Sequence, residues 1–354
     1  MTGIRSLVND GVRDWPRVPP NLFAISFGLA GLAGAWRAAG RTLHTAEAVP
    51  DAISVLAGLV LAVLTVCYAL QGTRTLLADL RHRIFSPFLS LAPITVMLLA
   101  TTLAVHWFAL GRALLLAGLV ATLLVGGFLT GEWIVADLDH DSAHPGYFLP
   151  TVAGGFVAAY CAAEVGLKGL AEAAFGIGAL CWSLVGSTIL NRLFFHSKLP
   201  EPFVPTLAIE MAPPAVAGIA YFAIDGGRRD LVSHALAGYA VLMVLVQIRM
   251  LPTFLKLRFA PGFWAFVFSW AAVANYSLQW IALDRPPFAR GYAVLIITAL
   301  TVFVAIIAVR TVILAVGGRL LPPRTPALPI PAPPVPAPPA PAPSAPRIPE
   351  ESTR

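Results

Sequence analysis

Charged side chains stranded inside long apolar runs are the first place to look for chemistry in this sequence, and Glu210 is the clearest of them. It lies well inside an apolar run over about 203 to 223, immediately before Met211, Ala212, Pro213 and Pro214. A carboxylate there is a candidate titrating or coordinating group on a pathway; the plainer reading is a neutral or Arg-paired group near the mouth of one. Arg37, Arg112, Glu132, Glu164, Glu172, Arg249 and Arg310 fall close enough to the ends of apolar runs to snorkel. The segment DLDHDSAHPGY gathers Asp137, Asp139, His140, Asp141 and His144. Its spacing matches no specific metal motif, so it reads as a solvated connector, and no metal or cofactor is expected. No GxxxxGKS/T, HExxH or nucleophile elbow occurs, which leaves no engine for ATP-driven work or proteolysis and no catalytic residue to name.

Aromatic side chains offer a different chemistry. The run GFWAFVFSWAAVANYSLQWIAL carries no charge and packs Phe263, Trp264, Phe266, Phe268 and Trp270 into one end before turning small and polar at Ala271, Ala272, Ala274, Asn275 and Ser277. Phe263 and Trp264 suit an interface between membrane and water. Phe268 lies deeper, where a ring on an inward-facing helix would plug an apolar constriction and gate by blocking or dewetting.

The composition dictates the elements that must position these residues. The chain has 354 residues, 58% of them hydrophobic and only 12% charged, against roughly 25% in average soluble proteins. Apolar stretches of about 20 residues, enough to cross a bilayer core of about 30 Å, recur along the chain. The expected class is therefore an all-α integral membrane protein, and soluble enzymes and nucleic-acid binders are excluded. The formal net charge of +6 belongs with topology, since most Lys and Arg lie between spans. Ten spans are expected, at about 21 to 39, 50 to 71, 87 to 108, 112 to 134, 147 to 165, 169 to 191, 203 to 223, 231 to 250, 262 to 283 and 291 to 316. Some connections, such as Ala109 to Gly111 and Gly166 to Lys168, are so short that they make the spans they join antiparallel neighbours, which points to hairpins as the building unit. The larger share of the basic residues falls on the side of the two termini, which predicts both termini in the cytoplasm of a cell that holds the protein in its plasma or inner membrane. Cys67, Cys161 and Cys181 all sit in apolar stretches, so no disulfide framework is expected. No apolar signal segment is expected ahead of the first span.

Prolines divide the spans into two kinds. Pro93, Pro150, Pro213 and Pro214 fall inside spans 3, 5 and 7, whereas spans 2, 4, 6, 8 and 10 have no interior proline. Gly28, Gly31 and Gly34 mark span 1 as another closely approached helix. The odd spans are therefore expected as an inner layer, kinked at these prolines and lining a path, and the even spans as an outer layer against lipid. Residues 1–18 are expected as a cytoplasmic segment, 19–317 as the membrane domain, and 318–354 as a disordered Pro/Ala-rich cytoplasmic tail. The stretch after Leu321 holds 14 of the 31 prolines and little that could build a core.

Five stretches in order, VPPNLFAISFGLAGLAGAWR, SPFLSLAPITVMLLA, YFLPTVAGGFVAA, LAIEMAPPAVAGIAY and FWAFVFSWAA, resemble the tellurite-resistance/dicarboxylate transporter family. That family is TehA-like and related to the slow anion channel of plant guard cells, and the likeness covers residues 18 to about 316. The resemblance implies five helical hairpins around a central pore, assembly as a homotrimer with a pore in each subunit, and a gating phenylalanine at Phe268. Two positions depart from the pattern. Trp270 stands where a smaller residue is expected, and Glu210 puts a negative charge on a presumed pore helix, which opposes anions unless it is protonated or paired. The expected function is transport of small anions through a pore gated by Phe268. The alternative is a proton-coupled exporter of dicarboxylate, sulfite or tellurite-like oxyanions that uses Glu210.

Overall fold

A computed structural model describes residues 17–136 and 140–321. Asp137, Asp139, most of the N-terminal segment and the Pro/Ala-rich stretch from residue 322 lie outside the described residues. Among the described residues every regular element is helical, and ten helices are long and apolar enough to cross a membrane. Spans 1 to 5 are Pro20–Leu43, Ala48–Ala69, Ser86–His106, Phe108–Val135 and Pro145–Glu164. Spans 6 to 10 are Lys168–Phe195, Glu201–Asp225, Leu231–Phe254, Pro261–Asp284 and Ala289–Val316. The protein is a multi-pass α-helical membrane protein.

The two kinds of span differ in burial and in backbone. In an 18-residue apolar stretch of each odd span between 56% and 78% of residues are buried inside the protein, against 22% to 33% in each even span. The even spans instead expose large apolar side chains, such as Leu59 and Val63 on span 2 and Leu180 and Leu184 on span 6, as a surface facing lipid must. Every odd span opens with a 3-10 segment: Pro20–Leu22, Ser86–Ser90, Pro145–Phe148, Glu201–Met211 and Pro261–Phe263. Each of these segments has a proline at its first or second position, where the missing N–H would have had no helical partner anyway. In span 5 a π turn, Leu149–Ala153, follows before the α-helix starts at Gly154.

The prolines singled out from sequence occupy the same kind of position. Pro93 is the third residue of the α-helix Leu91–His106, and Pro213 and Pro214 follow directly on the start of Ala212–Ile224. They sit in first turns because the preceding turns are 3-10, so an odd span changes helix type partway along instead of breaking an established α-helix.

Each odd span packs against the even span that follows it, and spans 1 and 9 pack along their lengths within the inner layer. The glycines of span 1 permit this approach. A methyl at Gly28 would lie 2.8 Å from Val267 Cγ1, one at Gly31 would lie 3.0 Å from Phe268 Cδ2, and one at Gly34 would lie 3.2 Å from Asn275 Nδ2. A short helix with no counterpart in the hydropathy pattern, Thr73–Leu80, follows span 2. Its Asp79 is fully buried, accepting a hydrogen bond from the Tyr68 hydroxyl at 2.9 Å and pairing with Arg17.

Candidate functional site

Side chains on the inner faces of the odd spans recur every three or four residues, so each helix presents one stripe to the middle. On span 9 that stripe is Phe268, Ala271, Ala272 and Asn275. The stripes enclose two cavities. One lies toward the 3-10 ends of the spans and is bounded by residues such as Phe27, Phe88, Phe156, Pro213 and Trp264. The other lies further along, among Gly31, Leu98, Tyr160, Ile219 and Asn275. All five odd spans line both cavities and no even span lines either.

Phe268 and Val216 border both cavities. The Phe268 ring stacks on Phe27 of span 1 with centroids 3.6 Å apart and planes within 17°. Phe27 is 2% exposed, so the stack is anchored on a fixed ring, and Gly31 one turn on leaves room for it. Phe266, by contrast, is buried against Phe254 and Phe263 and borders neither cavity. Trp270 packs toward the cluster of Ala208, Phe254 and Phe266 and also borders neither, so its bulk does not fall on the cavity walls.

The first cavity has no charged side chain in its wall, and its single hydroxyl, on Ser269, donates to the Ala265 carbonyl at 3.0 Å. Glu210 is 8% exposed and lies one residue before the end of the 3-10 segment of span 7. Ile209, Ala212 and Pro213 line the cavity, but Glu210 does not. It lies within electrostatic reach of Tyr239 on span 8, and its Oε1 makes no hydrogen bond. Among the other prolines, Pro93 and Pro150 direct their carbonyls toward span 4, where methyls at Gly118 and Gly126 would approach them to 3.1 and 3.2 Å. Pro214 is buried within span 7.

His144 departs from its expected place in a solvated connector. It is 1% exposed, and its ring stacks between Phe88 and Phe203 with centroids 5.8 and 5.5 Å away. Its Nδ1 accepts from the Gly146 N–H at 3.1 Å, which leaves Nε2 to donate to the Ile84 carbonyl at 3.1 Å. Both nitrogens are thus engaged, and burial pushes the imidazole down to about 4. Arg192 holds the same connector through the Asp141 carbonyl at 3.3 Å, and the Tyr147 hydroxyl donates to the Arg83 carbonyl at 2.8 Å. The polar composition of the segment hid this clamp, because the aromatic rings that bury His144 come from spans 3 and 7. Phe27 was equally hidden, since pairing across two helices depends on their register.

A family model described as "SLAC1: Voltage-dependent anion channel" matches residues 17–312. The chain is 31% identical over 264 residues to the tellurite resistance protein TehA homolog of Haemophilus influenzae, covering 73% of this chain and 80% of that protein. It is also similar to two S-type anion channels of Arabidopsis thaliana. SLAH2 is 26% identical over 130 residues, which is 37% of this chain and 25% of that protein. SLAH4 is 28% identical over 157 residues, which is 43% of this chain and 42% of that protein.

Proposed function

The chain belongs to the SLAC1 family of voltage-dependent anion channels, and we propose that it is a passive pathway for small anions through the middle of the odd spans, closed at Phe268. The observation that carries this reading is the stack of Phe268 on Phe27 between two cavities lined by the inner spans alone. An ion entering the first cavity gives up water and meets no opposite charge. Aromatic ring edges carry partial positive charge, so a poorly hydrated anion loses least there and is not trapped. No side chain in the path is assigned a catalytic role. Residues 19–317 form the transport domain in this proposal, with both termini cytoplasmic and three copies assembled as a homotrimer.

Flux into liposomes tests the gate. Nitrate and chloride entry is expected to rise about tenfold or more in Phe268→Ala, since a closed-state bias of about 1.4 kcal/mol is already a factor of ten. Unchanged entry in a properly folded variant would remove Phe268 from the role. A second reading, proton-coupled export of an oxyanion, draws on the buried and unpartnered Oε1 of Glu210. Because Glu210 is not among the residues lining either cavity, this is the weaker of the two.

A further inference from the structure

The second cavity contains only two polar side chains in its wall, Tyr160 from span 5 and Asn275 from span 9. Gln279, one turn further along span 9, donates its Nε2 to Asn275 Oδ1 at 2.9 Å. That bond occupies the amide's acceptor and turns Nδ2 toward Gly34 on the wall of span 1. Both Nδ2 hydrogens are left without a protein partner, and the Tyr160 hydroxyl has none either. The cavity beyond Phe268 therefore presents unpaired donors, while its amide acceptor is already bonded.

We propose that Tyr160 and Asn275 form an anion-binding subsite in the second cavity, holding a small monovalent anion with acceptor oxygens, of the nitrate type, by neutral hydrogen bonds. The inference rests on the reading of the path as an anion path. A cation would find only the Tyr160 hydroxyl oxygen and an amide oxygen already bonded once by Gln279, with no carboxylate in the wall. The nearby charges nearly balance. Arg37, Arg41 and Glu164 are the charged groups that interact with Tyr160, and Arg37 is engaged by Asp51 at 3.2 Å and by Thr102 at 3.0 Å. A site built of neutral donors does not repay the dehydration of a divalent anion, so sulfate is rejected while nitrate is held loosely enough to leave. Gln279 is a positioning residue.

Nitrate entry into liposomes, measured against nitrate concentration, is expected to saturate in the wild type. Tyr160→Phe and Asn275→Leu should each raise the half-saturating concentration about fivefold, the factor one neutral hydrogen bond carries. Asn275→Asp should raise it further, since it sets a negative charge where the amide donated. Wild-type half-saturation in all three folded variants would overturn the subsite. Nitrate-dependent thermal stabilisation of the detergent-solubilised protein supplies a readout independent of transport. Stabilisation in the wild type that disappears in the Tyr160→Phe, Asn275→Leu double variant supports the subsite even if no nitrate crosses, an outcome that would defeat the transport reading alone. Absence of stabilisation in the wild type, or its persistence in the double variant, overturns the subsite.

Discussion

The stack between spans 1 and 9 has two halves, and removing the Phe27 ring should release Phe268 as surely as truncating Phe268 itself. Phe27→Ala is accordingly expected to raise anion flux in liposomes, whereas Phe266→Ala, which empties a pocket against Phe254 instead, should leave it near wild type. A larger gain from Phe266→Ala would place the obstruction elsewhere. His144 acts on stability. Its ring is neutral in the folded protein, with the pKa pushed down from 6.5 to about 4, so the unfolded chain binds more protons between those values. The contribution is complete above about pH 6.5 and is lost as pH falls toward 4, on the order of 3 kcal/mol in all. The melting temperature in detergent should fall across that window in the wild type and fall less in His144→Asn, and parallel curves would contradict the assignment. Glu210→Gln removes an ionisable group at nearly constant shape. Because Glu210 borders neither cavity, nitrate flux and its pH profile are expected to survive within about twofold, a margin below the tenfold that 1.4 kcal/mol carries. A pH profile flattened by this substitution would instead favour the proton-coupled exporter.

Helix approach governs the next scale. At Gly28 a methyl would meet Val267 Cγ1 at 2.8 Å and Trp264 Cε3 at 3.0 Å, both on a buried helix, so Gly28→Ala must push spans 1 and 9 apart. Overpacking of this kind costs about 1–3 kcal/mol, and the loss should appear as a lower melting temperature. Gly127→Ala is the matched control, since its methyl would meet open space on span 4 and helix propensity alone favours it by up to about 1 kcal/mol. Equal melting temperatures for the two variants would show that the close approach is dispensable. The ten spans were legible because bilayer thickness sets a minimum apolar length that few other folds imitate. The alternation of buried and exposed spans was legible through proline, although even span 8 also carries Pro252 inside its helix, and the 3-10 entry to each odd span was not foreseen. Thr73–Leu80 escaped notice because TRTLLADL has no long apolar run, and its Asp79 is tied to Tyr68 and Arg17 by tertiary contacts. Asn275 was visible as a polar residue in an apolar run, but its orientation needed Gln279 and the span 1 glycines in place.

At the scale of the whole molecule the question is what drives an ion across. A coupled carrier needs a titrating group that both faces the substrate path and changes access with its charge. Here the walls of both cavities carry no Asp, Glu, His, Lys or Arg among the described residues. Glu210 lies between residues of the first cavity's wall without bordering it, and at the ends of spans Arg37 pairs with Asp51, which also meets His106 at 2.9 Å. On the proposed reading the path offers an ion in transit no such group, so flux should follow the anion's own electrochemical gradient. In planar bilayers holding the Phe268→Ala protein, the reversal potential should track the nitrate gradient and stay in place when a pH difference of one unit is imposed across the membrane. A current that reverses at a potential shifted by the pH difference, or net nitrate movement that vanishes when the proton gradient is collapsed, would mean that protons and anions move together. Coupling would then have to pass through a group outside both cavity walls, and Glu210, buried against span 8 with an unpaired oxygen, would be the residue to carry it.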